Sequence, residues 1–169
     1  MMIELRAATQ ADSVRLQEIE VAAGEQFRTV GLSDVADHDP FTVEELGAYV
    51  DGCRSWVAVD DGHIVGYVVV DRVGTAAHIE QVSLVPEAQG QGIGRLLIDR
   101  VREWAVENGL GALTLTSFRD VAWNAPLYAH LGFRILADAE LTPELQAIRH
   151  EEANQGLDLT QRVCMQLDL

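Results

Sequence analysis

The chain has 169 residues, 48% of them hydrophobic and 23% charged, a composition that fits one globular domain with a real core and not a disordered or fibrous chain. Twelve basic residues against 27 acidic ones leave a formal charge of −15, which argues against nucleic acid as a partner, because phosphate neutralisation needs a basic face. No stretch approaches the roughly 20 apolar residues of a membrane span, and the opening Met1-Met2-Ile3-Glu4-Leu5-Arg6 lacks the basic head and apolar run of a secretory signal. Cys53 and Cys164 are far apart and sit among apolar residues, so they are expected to be buried free thiols of a cytoplasmic protein.

Taken in order, Ile3 to Arg6 alternates like a short strand. Thr9 and Asp12 have the spacing of a capping box, and Val14, Leu16, Ile19 and Ala23 supply the helical stripe behind it. Residues 24–40 are polar and aperiodic and read as a loop with one helical turn. Thr42 and Glu45 form a second capping box, with Phe41 and Leu46 as a hydrophobic staple, and open a helix to about Asp51. Trp56 to Val59 and Ile64 to Val70 flank Asp61-Gly62, the signature of a two-residue type I′ hairpin. A strand from His78 to Val85 stops at Pro86, which has no N–H for a ladder. A helix follows from about Gly92 to Asn108, with Ile93, Leu97, Val101, Trp104 and Ala105 on one face and Gly109 as its stop. The remaining elements are a strand from Leu113 to Thr116, a short helix from Asn124 to Leu131, a strand from Phe133 to Leu136, a helix opened by Thr142-Pro143 and a last strand from Val163 to Leu167. His150-Glu151-Glu152 falls on that last helix as a solvated charge run, and the five histidines show no metal-ligand spacing. The order of elements predicts an α/β or α+β domain, a mixed sheet covered by helices.

The segment that carries chemistry is Val82 to Leu97. A strand stops, a glycine-rich turn follows and a long helix begins. Gly90, Gly92 and Gly94 are three glycines in five residues, which lets the backbone approach a ligand without Cβ clashes. The helix start adds unpaired N–H groups and a positive dipole end, together an anion cradle. A dinucleotide fingerprint would need its third glycine at position 95, which is Arg95, and a Walker loop would need Lys then Ser or Thr. The competing structural reading is a turn that merely packs helix against strand.

Gln89-Gly90-Gln91-Gly92-Ile93-Gly94 resembles the Gln/Arg-x-x-Gly-x-Gly/Ala signature of the GNAT acyl-CoA N-acyltransferase superfamily. Asn124-Ala125-Pro126-Leu127-Tyr128, followed by Leu131-Gly132-Phe133, resembles the family's second signature. The resemblance spans nearly the whole chain. It implies a single domain over residues 1–169, with a central mixed, splayed sheet of about seven strands and helices on both faces. It implies acetyl-CoA as co-substrate, no metal, and acetyl transfer to a primary amine in a ternary complex. In that reading the backbone of Leu84 and Val85 pairs with the pantetheine arm and polarises the thioester carbonyl. Gln89, Gly90, Gln91, Gly92, Ile93, Gly94 and Arg95 hold the pyrophosphate, with Arg100 or Arg134 near the 3′-phosphate. Asn124 contacts the cofactor, and Tyr128 protonates the departing thiolate.

The base stays open between Glu80, His78 and a water chain, with substrate binding the other role open to Glu80 and His78; Glu80 could also be an exposed strand residue or a partner of Arg119. The resemblance places acceptor specificity in the segments around Phe27, Phe118 and Trp123, where an apolar or cation-accepting wall competes with ordinary packing under loops. The acidic composition favours a cationic acceptor, either a small molecule or a protein amine. The resemblance also makes a homodimer through the C-terminal strand an expectation. The rival reading is a non-catalytic acyl-CoA-binding or sensing domain on the same fold.

Overall fold

A computed structural model describes residues 2–169. Seven strands form one mixed sheet: β1 (Ile3–Ala7), β2 (Ser55–Asp60), β3 (His63–Val73), β4 (Ala76–Leu84), β5 (Ala112–Phe118), β6 (Arg134–Ile135) and β7 (Arg162–Asp168), in the order β1-β2-β3-β4-β5-β7-β6. The β1/β2 and β2/β3 pairs are antiparallel, β4/β5 is parallel, and β7 is antiparallel to both β5 and β6. The helices are α1 (Ser13–Gly24), α2 (Ser33–Ala36), α3 (Val43–Asp51), α4 (Ile93–Glu107), α5 (Ala125–His130) and α6 (Pro143–Asn154). None is long and apolar enough to cross a membrane among the described residues. The chain divides into two compact units, one of Met1–Val70 with Glu80–Arg100, the other of Asp71–Ile79 with Val101–Leu169.

Local chemistry accounts for most element ends in the first unit. The Asp12 carboxylate accepts from the Thr9 N–H at 2.8 Å and from Arg6 Nη1 at 2.8 Å, tying the end of β1 to the turn that opens α1. The Thr42–Glu45 capping box closes with both bonds at 3.1 Å. Asp61 and Gly62 have φ of 49° and 79°, as a type I′ turn demands. Leu16, Ile19, Leu46, Val57, Tyr67 and Val69 form one core, so α1 and α3 cover the face of β2 that carries Val57. Arg100 of α4 stacks over Trp56 at 5.1 Å. Because neighbouring residues of a strand point to opposite faces, this unit carries helices on both sides of its strands.

Gly66 lies where β3 runs under the end of β4. A Cβ there would overlap the Leu84 side chain and come within 3.0 Å of the Ser83 carbonyl oxygen, which is backbone and cannot rotate away. Gly66 also faces Ala58, at the bulge between Ala58 and Val59.

In the second unit the β5/β7 ladder runs from Ala112↔Asp168 to Phe118↔Arg162. Leu136, Leu145 and Cys164 form a small core with Val73, Leu141 and Ile148 around it. Thr142 caps α6 by accepting from the Leu145 N–H at 3.2 Å.

Several expectations need correction. Val14 is 59% exposed, so the buried stripe of α1 is carried by Leu16 and Ile19. Residues 24–40 hold a 3-10 turn (Glu25–Val30) and α2, more order than a loop with one turn. Cys53 is exposed, at φ 56° in the turn after α3, and only Cys164 is buried. The strand expected from Phe133 to Leu136 shrinks to Arg134–Ile135, both exposed. The C-terminal strand β7 sits inside the sheet, between β5 and β6. Glu152 is buried, because it falls one and two turns beyond Ile148 and Leu145 on the buried face of α6.

Gly66→Ala is expected to lower the unfolding free energy by about 1–3 kcal/mol in urea titration. Gly94→Ala serves as the control. Gly94 has helical backbone, and its Cβ would meet nothing nearer than Leu84 Cδ1 at 3.9 Å, so stability should hold or rise.

Candidate active site

In the first unit β4 ends in a fixed geometry. The Val85 N–H donates to the Val65 carbonyl at 2.9 Å, and the Val85 carbonyl accepts from the Ala88 N–H at 3.0 Å within the turn Pro86–Ala88. The expectation that both Leu84 and Val85 offer free backbone is thereby narrowed: the Val85 donor is spent on β3.

The chain then passes through Gln89, which is extended, Gly90 at φ 77° and Gly92 at φ 82°, into α4. The Gly92 carbonyl accepts the Leu96 N–H at 3.2 Å, which makes Gly92 the helix cap. A Cβ on Gly90 or Gly92 would meet no protein atom within 4 Å. The positive φ values account for glycine at both positions. Helix geometry leaves the N–H groups of Ile93, Gly94 and Arg95 without intrahelical acceptors. Ile93 is 1% exposed and anchors the first turn, while Gln91 and Arg95 are exposed. These donors and the helix dipole suit a phosphate.

Gln89 ties this loop to the turn after α1. Its Oε1 accepts from Gln26 Nε2 at 2.9 Å, and the buried Gln26 Oε1 has no partner among the described residues. The turn itself, which carries the half-buried Phe27, is clipped outside by Arg28, bonded to Glu25 at 2.9 Å and Asp37 at 2.5 Å. Arg100, proposed from the sequence for the 3′-phosphate, covers Trp56. Glu80 is exposed on β4.

In the second unit, Asn124 accepts the Phe118 N–H with its side-chain carbonyl at 3.2 Å, joining the end of β5 to the start of α5. Tyr128 follows one turn later. Gly132, at φ 106°, turns the chain back so that the Phe133 ring packs edge-on against Tyr128 at 6.0 Å, and the Phe133 N–H bonds the Tyr128 carbonyl at 3.0 Å. The Leu-Gly-Phe run thus fixes the tyrosine. Burial pushes the Tyr128 hydroxyl up to about 12 against the opposing pull of Arg162, so it keeps its proton at neutral pH and can donate it.

Two expected substrate contacts are buried instead. Phe118 is 4% exposed, its ring under the Arg162 guanidinium at 4.5 Å. His78 is 2% exposed, with Nδ1 2.8 Å from Thr114 Oγ1, and burial lowers it to about 4. Its depth follows from β4 pairing with β5 through Ala76, Ala77 and His78. Trp123 is half-buried. Arg134 is exposed and bonded to Glu140 at 2.6 Å. Sequence reading missed Arg162, which is bonded to Glu152 at 2.5 Å and to Thr116 at 2.8 Å. Among the described residues, no group of three or more His, Cys, Asp or Glu could hold a metal ion.

The family model for acetyltransferases of the GNAT family matches residues 16–133, which include the cradle and the Asn124–Phe133 run. The chain belongs to the GNAT acetyltransferase family. Solved structures agree with the fold of a GNAT domain. The PaiA N-acetyltransferase from Thermoplasma acidophilum, solved with coenzyme A, is 15% identical with full coverage of both chains and a TM-score of 0.75. The ribosomal-protein-S18-alanine N-acetyltransferase from Escherichia coli is 17% identical, with 99% of this chain and 94% of that one covered and a TM-score of 0.67. The N-acetylglutamate synthase from Neisseria gonorrhoeae, complexed with coenzyme A and N-acetyl-glutamate, is 18% identical over 100% of this chain and 35% of that one, with a TM-score of 0.72.

The buried His78 of this GNAT domain makes a testable pH dependence. Its native value lies below its unfolded value, so the unfolded chain takes up a proton that the native state refuses. Stability is therefore full above pH 6.5 and is lost as the pH falls from 6.5 towards 4. The expected slope from this group is about 1.4 kcal/mol per pH unit, about 3 kcal/mol in all. Urea titrations between pH 7 and 5 should show it, and His78→Gln should flatten the profile.

Proposed function

We propose that the protein moves the acetyl group of acetyl-CoA to a primary amine by direct transfer in a ternary complex. The observation that carries this is the cradle at Gly90–Arg95, whose open Cβ positions and helix-start donors leave room and charge for a pyrophosphate. Acetyl-CoA, as substrate, supplies the activated acyl group. The Gln89 to Arg95 backbone binds its phosphates, and Asn124 binds it with the amide end not engaged by Phe118. The N–H groups of a strand alternate between its two edges. Since Val85 directs its own to β3, Leu84 directs its N–H to the other edge, where it polarises the thioester carbonyl and stabilises the oxyanion.

The acceptor nitrogen attacks the carbonyl carbon, the C–S bond breaks, and Tyr128 gives its proton to the departing thiolate. Its high value suits an acid that must stay protonated until the thiolate forms. Glu80, directly or through water, takes the proton that the amine sheds. His78 is the weaker candidate, since a buried imidazole near 4 has little basicity at neutral pH. The acceptor class is an amine, and the net charge of −15 favours a cationic one.

The test is thiol release from acetyl-CoA across a panel of amines. Tyr128→Phe should lower kcat by about 10²–10⁴-fold with unchanged affinity for acetyl-CoA. Unchanged turnover would remove the tyrosine from the mechanism. Binding of acetyl-CoA with no amine-dependent release from the wild type would favour the binding-domain reading.

A further inference from the structure

Glu20, on the last turns of α1, is a half-buried carboxylate that none of the roles above uses. Its Oε1 accepts from the Tyr67 hydroxyl at 3.0 Å and from the Phe41 N–H at 3.2 Å. Both donors are neutral. Its Oε2 has no partner among the described residues and is not shut off from solvent. The groups that act on it are Tyr67 of β3, the Phe41 N–H before α3 and Glu45 of α3, while Gln17 Nε2 of the same helix holds the Phe41 carbonyl at 2.9 Å. No cation is among them, and Glu45 is a second negative charge. The twelve basic residues of the chain are all arginines, and none of them compensates Glu20.

A carboxylate withdrawn from water without a counter-charge is costly. Here the two donors on Oε1 do the structural tying of α1 to β3 and to the loop before α3. Oε2 takes no part in that tying. The position also matters. The Tyr67 hydroxyl also lies near the Ser83 side chain, and Ser83 immediately precedes Leu84. The residues after Glu20 on the same helix lead into the turn that holds Gln26 and Phe27.

We propose that the Glu20 carboxylate seats a second cationic centre of the acceptor, a charged group of the substrate other than the amine that reacts. The proposal rests on the acetyl-transfer reading above. The reacting nitrogen must be neutral to attack, so a carboxylate that favours a cation is wrong for it and right for a second ammonium or guanidinium group. The substrate class is thus a diamine, a polyamine or a basic residue with two amines.

Putrescine and n-butylamine, of equal chain length and differing by one charge, give the test. Wild type should prefer putrescine in kcat/KM. Glu20→Gln keeps an acceptor oxygen for Tyr67 and Phe41 and removes only the charge; it should cut the putrescine-to-butylamine preference by about tenfold or more, through KM. Tyr67→Phe removes a hydrogen bond and keeps the charge, and should retain the preference. An unchanged preference in Glu20→Gln, or an equal loss in Tyr67→Phe, would overturn the assignment. Calorimetric titration of putrescine separates the two readings. If wild type turns over no amine, acetyl transfer fails; binding by wild type and not by Glu20→Gln would still uphold the seat, and binding by neither would overturn it.

Discussion

The hydrogen bond from the Val85 N–H to the Val65 carbonyl is the constraint on which the cradle depends. It keeps β4 paired with β3 one residue beyond its formal end, so the proline turn starts from a fixed point. Two residues with left-handed backbone, Gly90 and Gly92, then reverse the chain into α4, whose first turn is pinned by the buried Ile93. The close approach allowed by Gly66 belongs to the same arrangement, since any side chain there would push Leu84 and Ser83 off β3. Hydrogen-bond donors at a helix start are weak individually and act on an anion by being aimed in advance. The rigidity of this corner supplies the aim.

A buried charge organises the second unit. Arg162 reaches Glu152, Thr116 and the Phe118 face, with both members of the ion pair only 11% exposed at the side chain. Burying such a pair gains little on balance, but removing one partner leaves the other uncompensated, at a cost of about 3–5 kcal/mol. The pair joins α6 to β7, and Phe118 in turn passes its N–H to Asn124 at the head of α5. The tyrosine helix is therefore held from below by Arg162 through Phe118 and from its far end by Phe133.

What could be read from the residues alone was what is encoded locally. The Thr42–Glu45 box, Asp61-Gly62 and the glycine run all act within a few residues, and each is found where the spacing placed it. The roles that escaped depend on partners distant in sequence. His78 meets Thr114 and Glu20 meets Tyr67, 36 and 47 residues away, and neither pairing leaves a trace in periodicity. Glu152 is the intermediate case. Its spacing from Leu145 and Ile148 marks a buried face, but the flanking His150 and Glu151 disguise it as surface. Phe118 read as a substrate wall because nothing nearby in sequence announces the arginine that covers it.

The turn Glu25–Val30 is held by two attachments of different physics. Outside, Arg28 grips Glu25 and Asp37 through exposed charges; inside, Gln26 grips Gln89 through a neutral amide pair. Dissolved ions screen the first and leave the second nearly untouched. In brine the turn loosens at its outer end while its inner end stays moored to the glycine loop at Gln89, so it swings about Gln26 instead of coming away. High salt would thus widen the motion of Phe27 without loosening the Gln26–Gln89 tie.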